Sequence, residues 1–206
     1  MKREKVVRIV VLVVVALLLV WRILAWVIRP DIGDYTEYKF DVKHFMKLST
    51  TIEIDKSGES YANVKGNIFK FATDPLTMYD SNGNKVAYAG DDYHLIAQDS
   101  HTIYINNTIV AEMVGRLSFF GETYDIYNAN QEKVARVNVN MLNTKGKMCD
   151  ADGKIIAVYR SFPFCQDFEL RIAEDCELDE NTVLMIFSSY YSDYKFDSQS
   201  SNNNKK

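Results

Sequence analysis

The side chains that could do chemistry are few and scattered. His44, His94 and His101 are the only histidines. No two stand in an H-E-x-x-H or i, i+4 arrangement that would let them share a metal ion. Isolated histidines on strands read as satisfied core or surface groups. Asp91 and Asp92 adjoin in "YAGDDYHL". On a strand they would point apart and in a turn they would be solvated, so they make no carboxylate pair for acid–base work. Cys149, Cys165 and Cys176 are odd in number and form no C-x-x-C. They read as small buried apolar residues, with one disulfide plus a spare thiol as the alternative in an exported domain. Cys165 in "FPFCQD" lies after a proline and between aromatics, the setting of a packed thiol.

Phosphate-binding and nucleophile motifs are equally absent. "VKGN" and "VGRLSFFGE" have the wrong spacing for a phosphate loop, and no G-x-S-x-G occurs. "DKSG", "DSNG" and "DADG" resemble the start of a calcium loop but lack its remaining ligands and closing glutamate. Asn106-Asn107-Thr108 is a glycosylation sequon, meaningful only in a eukaryotic secretory route. With no nucleophile–base pair, no catalytic, cofactor-binding or metal residue is expected, and the chain is expected not to be an enzyme. The densest basic group is Lys145, Lys147 and Lys154, the candidates for contact with an anionic ligand.

Charge is unevenly placed along the 206 residues. Lys2, Arg3, Lys5, Arg8, Arg22 and Arg29 face Glu4 alone in residues 1–29, although the whole chain is −4. Residues 30–206 therefore hold about −9, which repels phosphate backbones and anionic lipid surfaces at long range. Nucleic acid is not expected as a partner.

The elements that must position these residues are strands. In "YKFDVK", Tyr38, Phe40 and Val42 alternate with Lys39, Asp41 and Lys43. "VARVNVN" and "DFELRIA" alternate in the same way, the signature of strands with one dry and one wet face. Turn signals at Asp55, Asp80, Asn106, Asn128 and Asp150 recur at near-regular spacing, each flanked by strand-like residues. Five successive hairpins, with further strands near residues 38–43, 93–97 and 168–173, predict ten to twelve antiparallel strands. A meander that long closes or leaves exposed edges.

"LDENTVLMIFSSYYSDYKF" then reads as a helix with Asp179 as N-cap and Glu180 in its first turn. It is apolar on nearly every face, so it must be enclosed on every face. A closed barrel of about twelve strands is wide enough to hold it. The predicted fold is therefore mostly β, a closed antiparallel barrel around a central hydrophobic C-terminal helix. The tyrosine hydroxyls are expected at the barrel mouths, where they find partners. Residues 197–206, "DSQSSNNNKK", have no apolar pattern and read as a disordered tail.

"VVRIVVLVVVALLLVWRILAWVI", Val6 to Ile28, is long enough to cross a ~30 Å hydrocarbon layer at ~1.5 Å per residue. Arg8 can snorkel to the headgroups, and Trp21 and Trp26 suit the interfacial belt around Arg22. The uninterrupted apolar run, Ile9 to Trp21, also fits the ~7–15-residue core of a signal peptide, but "WRILAWVIRPD" offers no small-x-small cleavage site. A permanent single-pass signal-anchor is expected. Lys2, Arg3, Lys5 and Arg8 favour a cytoplasmic N-terminus and an extracytoplasmic domain, while Arg29, Lys39, Lys43 and Lys47 blunt that bias. The expected organisation is a cytoplasmic stub and transmembrane anchor over 1–29, the barrel domain over 30–196, and the tail.

Several stretches carry a family resemblance: "IEIDKSGESYANVKG" with "IFKF" following, "PLTMYDSNGNKVAYA", "ETYDIYNANQEKVARV" and "DENTVLMIFSSYYSDY". Together they resemble the tubby C-terminal-like superfamily, and most its LURP-one-related branch, which also includes the phospholipid scramblases. The resemblance covers about residues 35–196. It implies a twelve-stranded barrel around a hydrophobic helix, and little chemistry: tubby domains bind phosphoinositides and scramblases move lipids. Tubby's basic lipid motif has no counterpart position here, and the anchor is N-terminal whereas scramblases carry theirs at the C-terminus. The expected function is a membrane-anchored, non-enzymatic binding or structural domain with a lipid or protein partner. The alternative is a lipid-moving protein or an enzyme whose site forms only in the fold.

Overall fold

The computed structural model describes residues 11, 13, 14, 17, 29–45, 49–66, 75–91, 100–116, 118, 121–161 and 167–203, of which 44, 45, 49, 91 and 193–203 are described in backbone only. Contacts divide the chain into two units, Met1–Asp31 and Ile32–Lys206. The expected anchor falls almost wholly outside the described residues; Val11, Val13, Val14 and Leu17 are helical and exposed. Among the described residues no helix is long and apolar enough to cross a membrane. The strand expected near 93–97 also lies outside them.

The second unit is a barrel. Its strands are β1 (Tyr35–Phe45), β2 (Ser49–Lys56), β3 (Glu59–Gly66), β4 (Leu76–Asp80), β5 (Lys85–Asp91), β6 (Ser100–Ile105), β7 (Thr108–Arg116), β8 (Gly121–Asn128), β9 (Lys133–Asn140), β10 (Lys145–Asp150), β11 (Ile155–Ser161) and β12 (Phe168–Ala173). Each pairs antiparallel with its neighbours in sequence, and β1 pairs β12 from Tyr35↔Ala173 to Phe40↔Phe168, which closes the sheet. Closure removes the two free edges a long meander would expose. The predicted dry faces are the inner ones: Tyr38, Phe40 and Val42, Val137 and Val139, and Phe168, Leu170 and Ile172 are all buried.

The turns work as their residues predict. Asn106 and Asn107 both take positive φ, 50° and 63°, as a two-residue hairpin requires. Asp80 Oδ1 accepts the N–H groups of Asn82 and Asn84 at 2.9 and 2.8 Å, and Asp150 Oδ1 those of Asp152 and Lys154 at 3.0 and 2.9 Å. Asp80 and Asp150, two of the carboxylates that resembled calcium ligands, are engaged by their own turns.

A helix, Glu180–Asn203, follows β12. Asp179 caps it, its Oδ1 accepting N–H from Asn181 at 2.9 Å and Thr182 at 3.2 Å. Val183 to Phe187 are 0% exposed, and Tyr190 and Tyr191 are 1%. No face is left for solvent, so the barrel wall surrounds this stretch. Its aromatics meet aromatics of the wall: Phe187 stacks on Tyr159, Tyr190 packs edge-on to Tyr124 and Tyr159, and Tyr191 stacks on Phe168. The helix backbone comes closest to β5 and β6, where the inner residues include Ala87 and Ala89. Gly146 makes room on the opposite side, since a Cβ there would stand 2.8 Å from Val139 Cγ2 and 3.4 Å from the Tyr159 ring. The helix runs past Phe196 to Asn203, so most of the stretch read as a patternless tail is helical. Extending a formed helix adds one hydrogen bond per residue ordered, which even polar residues sustain.

Candidate binding face

The two barrel mouths have different tasks. At the mouth where the helix begins, Lys56 Nζ donates to both Glu180 oxygens at 3.0 Å, and Tyr61 hydroxyl to Asn181 Oδ1 at 3.3 Å. Burial, then hydrogen bonding to Glu180, raises the Tyr38 and Tyr61 phenols above their ordinary range. At the far mouth Tyr190 hydroxyl donates to buried Asn143 Oδ1 at 2.5 Å, and Tyr159 hydroxyl to the Asn143 carbonyl at 3.3 Å. The enclosed stretch of the helix is thus tied at both mouths, with the Tyr190 hydroxyl at one of them as expected.

Among the described residues the potential catalysts do not assemble. His101 is buried on the inner face of β6, which it shares with Ile103. The His44 side chain, His94, Asp92 and Cys165 lie outside the description. Cys149 and Cys176 are free and half-buried; burial pushes the Cys176 thiol up, away from a reactive thiolate. Among the described residues no three His, Cys, Asp or Glu side chains are placed to hold a metal ion.

What the fold does assemble lies on the outer wall of β7–β11. Asp125 on β8 alternates with inward Tyr124 and Ile126 and so faces outward, yet it is only 3% exposed. Three cations cover it. Arg136 Nε and Lys133 Nζ each lie 2.7 Å from Oδ1, and Arg116 Nε lies 2.9 Å from Oδ2. Arg116 also donates to Tyr127 hydroxyl at 2.8 Å. Burial alone would push the Asp125 carboxyl up; hydrogen bonds from Arg136, Lys133 and Arg116 outweigh that and hold it well below the usual range. One anion for three cations leaves an excess of positive charge, and the side chains of Arg116 and Arg136 remain 46% exposed.

The candidate lysines divide. Lys147 is exposed on β10, in register with Asn138, while Arg136 pairs with Cys149 one step further along. Lys147 therefore extends the wall that holds Arg136. Lys145 is in register with Arg160 on β11 and continues the same wall towards the far mouth. Burial, then the charge of Arg160, lowers the Lys145 ammonium below its usual value. Among the described residues neither Lys145 nor Lys147 has a carboxylate within ion-pair distance. Lys154 stands at the opposite mouth in the β10–β11 turn, paired with Asp175. The sequence grouping by proximity included it; the strand between carries it away.

Reasoning along the chain missed Arg116, Lys133, Arg136 and Arg160. A signal existed for one pair: folding "TYDIYNANQEKVARV" about its Asn turn sets Asp125 opposite Arg136. Arg116 and Arg160 arrive from other hairpins. Comparison with known proteins finds no matching family model, no matching curated protein and no matching solved structure.

Proposed function

We propose that the chain is a membrane-anchored, non-enzymatic binding module of the tubby-like, LURP-one-related kind. Val6–Ile28 serves as its single span, with the N-terminus cytoplasmic and the barrel outside. Its ligand, a lipid or a protein, meets the cationic wall formed by Arg116, Lys133, Arg136, Lys145 and Lys147. The observation that carries this reading is the division of labour in the barrel. The interior is occupied by its own helix, with Val183 to Phe187, Tyr190 and Tyr191 buried against the wall. The outer wall gathers cations around one buried carboxylate, an arrangement that stabilises an arriving anion.

The test is site-specific photocrosslinking of the full chain in its native membrane. A photoreactive residue at Asn138, between Arg136 and Lys147, should capture an acidic lipid or protein. The same residue at Thr77, on the outer face of β4, should capture none. Equal capture at both positions, or none at Asn138, overturns the reading.

A further inference from the structure

The β9–β10 turn differs from the hairpin turns of the opposite mouth. Those present Ser57 and Gly58, Ser81 to Asn84, Asn106 and Asn107, Ala129 to Gln131, and Ala151 to Gly153. The β9–β10 turn presents Met141 and Leu142, 69% and 57% exposed. Single exposed apolar residues are ordinary. Two adjacent ones, displayed on a fixed tip beside Lys145 and Lys147, form a pattern.

The tip is fixed from every side. Asn143 N–H donates to the Asn140 carbonyl at 2.8 Å. Asn140 Oδ1 accepts N–H from Thr144 at 2.8 Å and Lys145 at 3.0 Å, and its Nδ2 donates to Thr144 Oγ1 at 3.0 Å. Asn143 is held from within the barrel by Tyr190 and Tyr159. Gly121 at the start of β8 permits the close approach: at its φ of +139°, a Cβ would stand 2.0 Å from the Val139 carbonyl oxygen and 3.0 Å from Met141 N. The turn's polar groups are engaged inwards, and the apolar pair is left outside. Behind it the wall descends through Lys145 and Arg160, then Lys147 and Arg116, to Arg136 and Lys133.

We infer that the Met141–Leu142 tip and the cationic wall behind it dock on an anionic lipid bilayer. The two apolar side chains enter the boundary between headgroups and acyl chains, and Lys145, Lys147 and Arg116 meet lipid phosphates. The cations run along the wall, so the barrel lies on its side with the tip dipped in. An acidic protein would satisfy the cations but leaves the apolar pair projecting beyond them without a task. The acidic remainder of the barrel then faces away, which reverses the expectation drawn from net charge that the domain avoids anionic surfaces. The inference rests on reading the barrel as a binding module and names its ligand; it does not rest on the N-terminal anchor.

The test uses the full chain mixed with lipid nanodiscs of phosphatidylcholine alone or with phosphatidylglycerol. Leu142→Trp is followed as a difference from the parent, which holds Trp21 and Trp26. The added emission should shift to the blue and lose quenching by acrylamide in anionic discs only. Met141→Ser with Leu142→Ser, or Lys145→Glu with Lys147→Glu, should each weaken the preference for anionic discs by roughly tenfold or more. These positions lie on the outer surface, so the melting temperature should hold. An indole still quenched by acrylamide on anionic discs that retain the chain overturns the inference. So does an indole solvated on discs that shifts only with a polyglutamate peptide, which assigns the face to an acidic protein. Retention by anionic discs alone, with a shielded indole, supports docking and removes the anchor. Retention by neither disc overturns both.

Discussion

Asp125 is the residue on which the cationic wall depends. A buried carboxylate under Arg116, Lys133 and Arg136 holds three mutually repelling cations in one place. Asp125→Asn removes the charge and keeps the shape. The expected cost is about 2 kcal/mol, discounted because the three cations are partly exposed. In a domain of this size that lowers the melting temperature by roughly 4–8 °C. The pH dependence follows from the downward shift of this carboxyl. A folded-state value below the unfolded one gives stabilisation that is complete above the ordinary carboxylate range near pH ~4 and is lost as pH falls through the folded value. Thermal melts of wild type and Asp125→Asn should therefore differ most at neutral pH and converge in strong acid. A gap that persists unchanged at the lowest pH would remove the ion cluster as its cause.

The helix is the element that decides whether the barrel stands. Ile186 is 0% exposed in the middle of a segment enclosed by the wall. Ile186→Asp would bury a carboxylate with no partner, at a cost of several kcal/mol, against a total stability typically of ~5–15 kcal/mol. The variant should aggregate or unfold, and a chain ending at Glu177 should fare worse. Soluble, cooperatively melting protein in either case would put the helix outside the barrel. Tyr190→Phe is milder: it deprives buried Asn143 Oδ1 of its donor, for about 1–3 kcal/mol. Denaturant melts should show a lowered midpoint with an unchanged slope. The same substitution loosens the Met141–Leu142 tip, so it should also reduce discrimination between anionic and zwitterionic discs.

For the whole molecule, the proposed span and the proposed docking face make separate predictions. Full-length protein should pellet with membranes and resist carbonate extraction if Val6–Ile28 is a permanent span. Soluble mature protein beginning near residue 30 would show that a peptidase removes the segment. Docking of the wall is a separate contribution with a separate signature. It should weaken as salt rises, because exposed charges are screened beyond about 10 Å at 0.1 M, whereas carbonate resistance should not.

The sequence by itself determined the wall of this protein. Alternation of period two names the inner residues from Tyr38 to Ile172, Asp, Asn and Gly mark the turns, and strand number demands closure. It also determined the fate of the last helix, since a segment apolar on all sides has no stable place in water. These features are local, set by neighbours within a few residues, and are therefore legible along the chain. The binding face was only partly legible. Lys145 and Lys147 stand out as near neighbours, but Lys154 shared their proximity and ended at the opposite mouth. Arg116 and Arg160 lie far from them in sequence and join them only when four hairpins fold side by side. The exposure of Met141 and Leu142 was decided the same way. In the sequence they are two apolar residues beside a turn, like many that go inwards. Only in the tertiary structure does the close approach of Gly121, with Asn143 held from inside by Tyr190, turn the backbone so that both side chains face out.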